Sequence, residues 1–245
     1  MLAAKDIKRI KALGQKKFRD QEGAFVVEGE KLVAEALASG FRIREIYRTD
    51  EIGPAAMERI TQLSSPSPVL AVVEKPASWD TPKVDVPGPG LYLALDGIRD
   101  PGNLGTILRT ADWYGIDAVF ASPDTVEITN PKVVQSTMGA IFRVEFIKAD
   151  IPALCSSTVK AGGRVYGTFL NGEDIYTSAL DRGDTAPSII VVGNESNGIS
   201  PETAATVSHR ITIPRFKQSG PESLNAAIAT AITISEFKRP CQGKE

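Results

Sequence analysis

The chain has 245 residues, 42% hydrophobic and 24% charged, with a formal net charge of -2. That balance fits one or two folded domains with an ample core and excludes a disordered or collagenous chain, and the net charge taken alone argues against a bulk nucleic-acid binder without excluding one. No apolar run reaches the roughly 18 residues of a membrane span, and Cys155 and Cys241 fit neither a disulfide framework nor a metal-ligand spacing.

The opening MLAAKDIKRI is charged and lacks the apolar stretch of a secretory leader. The expectation is a cytoplasmic protein. Residues 1–19 predict a basic helix with a thin stripe of Ile7 and Ile10. Its cations are Lys5, Lys8, Arg9, Lys11, Lys16, Lys17 and Arg19. Such a cluster either holds phosphates or forms a solvated face, and the residues alone leave both readings open. Alternation then predicts strands over 25–27, 43–47 and 69–73. Between them stand helices over 30–39, with Leu32, Val33, Ala36 and Leu37 inward, and over 54–63, with Met57, Ile60 and Leu63 on one side. Residues 1–74 therefore read as a small α/β domain. Residues 75–90, KPASWDTPKVDVPGPG, hold four prolines and two glycines and read as a linker that Trp79 could pin to a domain surface.

From residue 91 to 245 the reading is a second α/β domain with a mostly parallel sheet. Strands are predicted over 91–95, 118–121, 144–147, 165–168, 189–192 and 210–213. Helices fill the gaps. In the first, Leu104, Ile107, Leu108 and Ala111 share a face and Gly115 stops the helix. In the last, Ser223 is the expected cap and Leu224, Ile228, Ala231 and Ile232 point inward.

Dinucleotide, P-loop and GxSxG signatures are missing, and the lone His209 reads as structural. What the sequence offers is three polar loops, each after an apolar strand, where open α/β sheets bind ligands. The first carries Asn103 and Arg109. The second is Gly193-Asn194-Glu195-Ser196-Asn197-Gly198. The third carries Arg215, Lys217, Ser219, Ser223 and Asn225. Glycine backbone can approach a ligand closely, carboxylate and amide can hold ribose hydroxyls, and a guanidinium reads phosphate. Without a further clue these features fit a generic nucleotide-binding protein.

The clue is motif order. DGIRDPGNLGTILRTADWYGID, VVGNESNGIS and IPRFKQSGPESLNAAIATAI resemble the three ordered motifs of the SpoU/TrmH family of RNA ribose 2′-O-methyltransferases, in the SPOUT superfamily. The segment KKFRDQEGAFVVEGEKLVAEAL is similar to the small ribosomal-protein-like RNA-binding domain that many members carry. The resemblance implies S-adenosylmethionine as methyl donor, RNA as substrate (ribosomal rather than transfer), a deep trefoil knot in the C-terminal domain and a homodimer. It places Thr168, Gly193, Ile213 and Leu224 at cofactor positions. It places Asn103, Arg109, Glu195, Ser223 and Asn225 at the reaction centre, and Lys8, Arg9, Lys16, Lys17 and Arg19 against RNA. No metal is implied. Ser196 stands where many members have glycine, and the loop from Pro214 to Ser223 looks longer and more basic than usual. Two other readings are a SPOUT enzyme that methylates a base and a catalytically inactive RNA-binding protein.

Overall fold

The first sheet owes its two-sided burial to strict alternation. In the computed structural model, which describes residues 2–80, 86–217 and 222–239, strands β1 (Ala24–Glu28), β2 (Ile43–Arg48) and β3 (Val69–Glu74) pair antiparallel in the order β1-β3-β2. Residues 81–85 of the expected linker, Ser219 and Cys241 lie outside the described residues. One face, Val26, Leu70 and Val72, packs on Ile7 and Ile10 of α1 (Ala4–Ala12) and on Met57 and Ile60 of α5 (Pro54–Ile60). The other, Phe25, Val27, Ala71 and Val73, packs on Leu32, Val33 and Ala36 of α3 (Glu30–Ala38). A short α4 (Thr49–Ile52) links β2 to α5.

Three expectations fail here for local reasons. The single helix over 1–19 is two, α1 and α2 (Lys16–Glu22). Gln62 Nε2 donates to the carbonyls of Ile10 (3.3 Å) and Lys11 (3.2 Å), satisfying the end of α1 from outside the helix. Helix α5 stops at Ile60 rather than Leu63, because Glu28 takes the next donors, Thr61 Oγ1 at 2.5 Å and the Gln62 N–H at 2.6 Å. Leu37 points outward, 52% exposed.

The second sheet is parallel throughout and six-stranded, ordered β6-β5-β4-β8-β7-β9. Its elements are β4 (Gly90–Asp96), α6 (Pro101–Tyr114), β5 (Ala118–Ala121), α7 (Pro131–Ser136), β6 (Phe146–Lys148), α8 (Ile151–Lys160), β7 (Arg164–Asp174), β8 (Pro187–Gly193), α9 (Pro201–Ala204), β9 (His209–Thr212) and α10 (Ala226–Lys238). The period of two sorts the central strands. Leu91, Leu93 and Leu95 of β4 share a core with α6, α7 and α10, while Tyr92 and Ala94 share another with Ile151, Leu154 and Cys155 of α8. Helices α6 and α10 lie side by side in the same direction. Asn225 Nδ2 meets Asn103 Oδ1 at 2.8 Å at their starts, and Lys238 Nζ meets the Gly115 carbonyl at 3.2 Å at their ends.

Strand β6 starts two residues later than predicted, and β9 one residue earlier, with the His209 ring stacked 4.8 Å from Tyr166. Strand β7 outruns its prediction. It leaves the sheet after Thr168 and re-pairs at Glu173, both opposite Ile211, so residues 169–172 form an excursion. Asn225 and not Ser223 caps α10, accepting from the N–H groups of Ala227 and Ile228. The helix is thereby phased so that Leu224 (48%) and Ile228 (51%) face out, while Ala226, Ala227, Thr230, Thr233, Ile234 and Phe237 face in.

The two sheets share one core. The α3 face of the first continues through Trp79, whose ring lies 5.9 Å from Phe25 and 5.5 Å from Phe41, into the core under β4. Two arginines clasp the junction. Arg143 joins Asp112 at the end of α6 to Glu35 of α3. Arg19 was expected against RNA; it is buried instead. It donates to the carbonyls of Leu13 and Gly14 (both 3.0 Å) and to Thr129 Oγ1 (3.3 Å), and pairs with Glu127 at 2.7 Å, the two side chains 3% and 9% exposed. Removing one partner of a buried pair strands the other charge. Arg19→Ala should therefore lower unfolding free energy by about 3–5 kcal/mol in urea titrations. A loss under about 1 kcal/mol, the scale of a surface pair, would show that the clasp is solvated.

Candidate active site

Parallel pairing sets the site. Strands β4 and β8 run in register, Leu95 opposite Val192 and Asp96 opposite Gly193, so their loops leave the sheet edge together. Asp96 Oδ2 accepts from the Ser200 N–H at 2.8 Å and ties the first loop to the end of the second. Gly193 sits where the second loop doubles back: a Cβ there would lie 2.2 Å from the Gly198 carbonyl carbon and the Ile199 nitrogen. Only glycine fits that approach. Asn194 and Gly198 close the turn with two backbone bonds of 2.9 Å, and Asn194 Nδ2 reaches the Gly97 carbonyl at 2.7 Å.

Three side chains, from the loop after β8, the first turn of α6 and the cap of α10, then meet in a line. Glu195 Oε1 accepts from Asn103 Nδ2 at 2.9 Å and from the Asp100 N–H at 3.2 Å; its other oxygen accepts from the Arg99 N–H at 3.3 Å. Asn103 Oδ1 accepts from Asn225 Nδ2, and Asn225 Oδ1 caps α10 at 2.9 and 3.2 Å. Donor and acceptor logic allows one orientation only. The carboxylate needs a donor, so Asn103 offers its amide N–H and keeps its oxygen for Asn225, whose own oxygen is left for the helix. Partial burial would raise the Glu195 carboxyl, but the hydrogen bonds from Asn103 and the backbone outweigh it and hold the group below the ordinary carboxylate range.

Beside this line opens a cleft of about 1030 Å³. Thr168, Gly193, Glu195, Ile213, Ser223 and Leu224 all line it, so eight sequence-predicted residues, counting Asn103 and Asn225, gather at one edge of the sheet. Its walls mix apolar side chains (Ile175, Val192) with Asn171, Arg210 and Arg215. A large, partly apolar cleft with a few converging polar groups suits a nucleoside-sized ligand. No His/Cys/Asp/Glu group able to hold a metal occurs among the described residues, and no helix there is long and apolar enough to cross a membrane.

Arg109 does not join the line. Asn103 is buried on α6, whereas Arg109, about 1.7 turns further, is on the solvent side and bonds to none of the described residues. Of the basic residues, Lys8, Lys16 and Lys17 are exposed. Arg9 is held by Glu45 at 2.6 Å and Lys16 by Asp20 at 2.6 Å. Reasoning from sequence missed Asp96 and the capping role of Asp100. Both stand in the DGIRDPGN loop, where a carboxylate ahead of Pro at the first helical position is itself a cap signal.

Residues 90–235 match the SpoU rRNA Methylase family, and residues 4–78 match the MRM3-like substrate binding domain. The chain is 30% identical to the 23S rRNA (guanosine(2553)-2′-O)-methyltransferase RlmP of Bacillus subtilis, over 95% of each chain. Its fold superposes with a TM-score of 0.86 on a TrmH-family protein of Porphyromonas gingivalis, at 40% identity and covering 98% of this chain and 99% of that one. It superposes with a TM-score of 0.81 on an AdoMet-bound rRNA methyltransferase from Sinorhizobium meliloti, at 32% identity and covering 98% and 96%.

The depressed Glu195 carboxyl has a consequence in acid. Its contribution to stability is present above the ordinary carboxylate value of 4.5 and is lost as pH falls through its lower folded value. Thermal unfolding of the wild type should lose stability more steeply below about pH 5 than that of Glu195→Gln, which has no proton to gain there. Parallel pH profiles would remove the carboxylate from its place as anchor of the three loops.

Proposed function

Since the chain belongs to the SpoU rRNA methylase family, we propose that it transfers a methyl group from S-adenosylmethionine to a ribose 2′-hydroxyl of RNA, ribosomal rather than transfer RNA. The observation that carries this reading is the line Glu195–Asn103–Asn225 at the lip of a nucleoside-sized cleft. The names of relatives that span nearly all of the chain, RlmP at 95% among them, support the ribosomal substrate and the 2′-oxygen. A cytoplasmic site of action follows from that substrate. The same membership supports the knotted path of the C-terminal domain.

The residues present suit the cofactor. Backbone at Gly193, which no Cβ could share, lines the cleft together with apolar Ile213 and Leu224 and with Thr168. Those four would hold the adenosine, with Glu195 and Ser223 facing the reacting end. Bound there, S-adenosylmethionine supplies a methyl already activated on a sulfonium, so the protein's work is positioning and charge management.

Glu195 is an anchor and not the base. Asn103 and two backbone N–H groups occupy its oxygens, and a carboxylate held below its ordinary range is a poor proton acceptor. Arg109 stays a cation in any protein environment, so it too removes no proton. It holds an RNA phosphate and stabilises the oxyanion that develops on the ribose; the proton passes to phosphate or water.

Arg109 reaches a reaction centre through a homodimer. It shares the outer side of α6 with Trp113, 85% exposed, and α10 beside it presents Ile228, 51% exposed. Covering these with a second copy buries them and brings the Arg109 of one chain toward the cleft of the other. RNA is gripped by Lys8, Lys16 and Lys17 through its backbone; Arg19, buried in the clasp, takes no part. The shared core fixes that grip at a set distance from the cleft.

Arg109→Ala should cut turnover on the order of 10²-fold while calorimetry shows near-normal cofactor affinity; equal loss of both would place Arg109 in the cofactor site. In sedimentation the wild type should run as a dimer and Ile228→Arg as a monomer without transfer activity. A monomeric wild type that is active would remove the dimer from the mechanism. Digestion of methylated ribosomal RNA should yield a 2′-O-methylnucleoside, and a base-methylated nucleoside would overturn the assigned atom.

A further inference from the structure

Phe216 has no structural reason to stand where it does. It is 90% exposed, the highest value among the large hydrophobic residues described, and it lies in the loop that leaves β9. On one side of it Pro214 and Arg215 line the cleft; on the other stands Lys217, exposed. A phenylalanine left in water forgoes the burial that usually holds it in a protein, and it gains only when a ligand covers it. Cation, aromatic ring, cation is the pattern of surfaces that bind single-stranded nucleic acid, with the ring stacking on a base and the cations tracking phosphates. The neighbouring wall repeats that chemistry: the Arg210 guanidinium lies 3.5 Å from the centre of the Phe169 ring, and both residues line the same cleft.

We propose that Phe216 is a stacking platform for an unpaired base of the substrate RNA, next to the nucleotide whose ribose enters the cleft, with Lys217 on the adjoining phosphate. The proposal rests on the methyltransferase reading and names how that site takes its RNA. A partner protein fits the patch less well, because the ring stands between two cations at the cleft mouth and not within an apolar field. The platform requires the target to lie in a loop or an opened strand, since a base within a duplex offers no free face.

The test compares Phe216→Ala and Phe216→Trp with the wild type, using a ribosomal RNA fragment that the wild type methylates and calorimetry with S-adenosylmethionine. Alanine should raise KM for RNA roughly tenfold, leaving kcat at saturating RNA and cofactor affinity near normal. Tryptophan should restore KM. Its fluorescence should be quenched by RNA beyond the response of the native Trp79 and Trp113. Unchanged KM in the alanine variant of an active enzyme would overturn the platform and leave the methyltransferase reading intact. Weakened cofactor binding with unchanged KM for RNA would also overturn it, making Phe216 a cover for the cofactor. A wild type that transfers no methyl to any ribosomal RNA would overturn the reading beneath it.

Discussion

A single hydrogen-bonded line, Asn225 to Asn103 to Glu195, holds together parts of the chain that are 122 and 92 positions apart. Each sheet loop would otherwise be a short polar excursion with little apolar surface of its own. The carboxylate makes the line directional. Its charge demands donors, which fixes both amides and leaves the last oxygen to start α10. Removing any member leaves the next with an unsatisfied group at the rim of the cleft. The three residues are therefore first an assembly device, and their closeness to the cleft follows from where the device sits.

This division clarifies the chemistry. Groups consumed in holding loops together are poor candidates for moving protons, and Arg109, the guanidinium of the first motif's helix, is left exposed outside the line. A site built in this way provides position and positive charge and no strong base. That suits a donor whose leaving group needs no protonation and an acceptor oxygen whose pKa must be lowered by its surroundings. It also explains why Arg109 lies across α6 from Asn103. In the proposed dimer, the helix that braces the cleft of its own chain with one face would offer the other to a second copy.

Much of this was legible in the sequence because parallel sheets are. Short apolar runs separated by capped helices announced all six strands of the larger sheet, and their C-terminal loops announced the site. Phase and partner were harder. Helix α10 is apolar on nearly every side, AAIATAITISEFK, so periodicity could not say which face turns in. The choice between Ser223 and Asn225 as cap was settled by a bond to Asn103 far away in sequence. Arg19 read as one more cation in a basic stretch, because nothing local distinguishes a guanidinium that will be buried from one that will be solvated. Its side-chain partners are Glu127 and Thr129, more than a hundred positions on.

The burial of Arg19 changes how the small domain should be understood. A domain tethered by a flexible linker lets RNA find the active centre by search. Here Trp79 sits in a core shared by both sheets, and Arg19 and Arg143 clasp the junction from two sides. Two exposed lysines on α2 and one on α1 are thus held at a fixed offset from the cleft. In the proposed reading, selection then falls to the RNA, whose shape must bring a phosphate track to the lysines and a ribose to the cleft at once. Rigid geometry of this kind discriminates by shape and needs few base-specific contacts, which is consistent with a chain whose net charge is only -2.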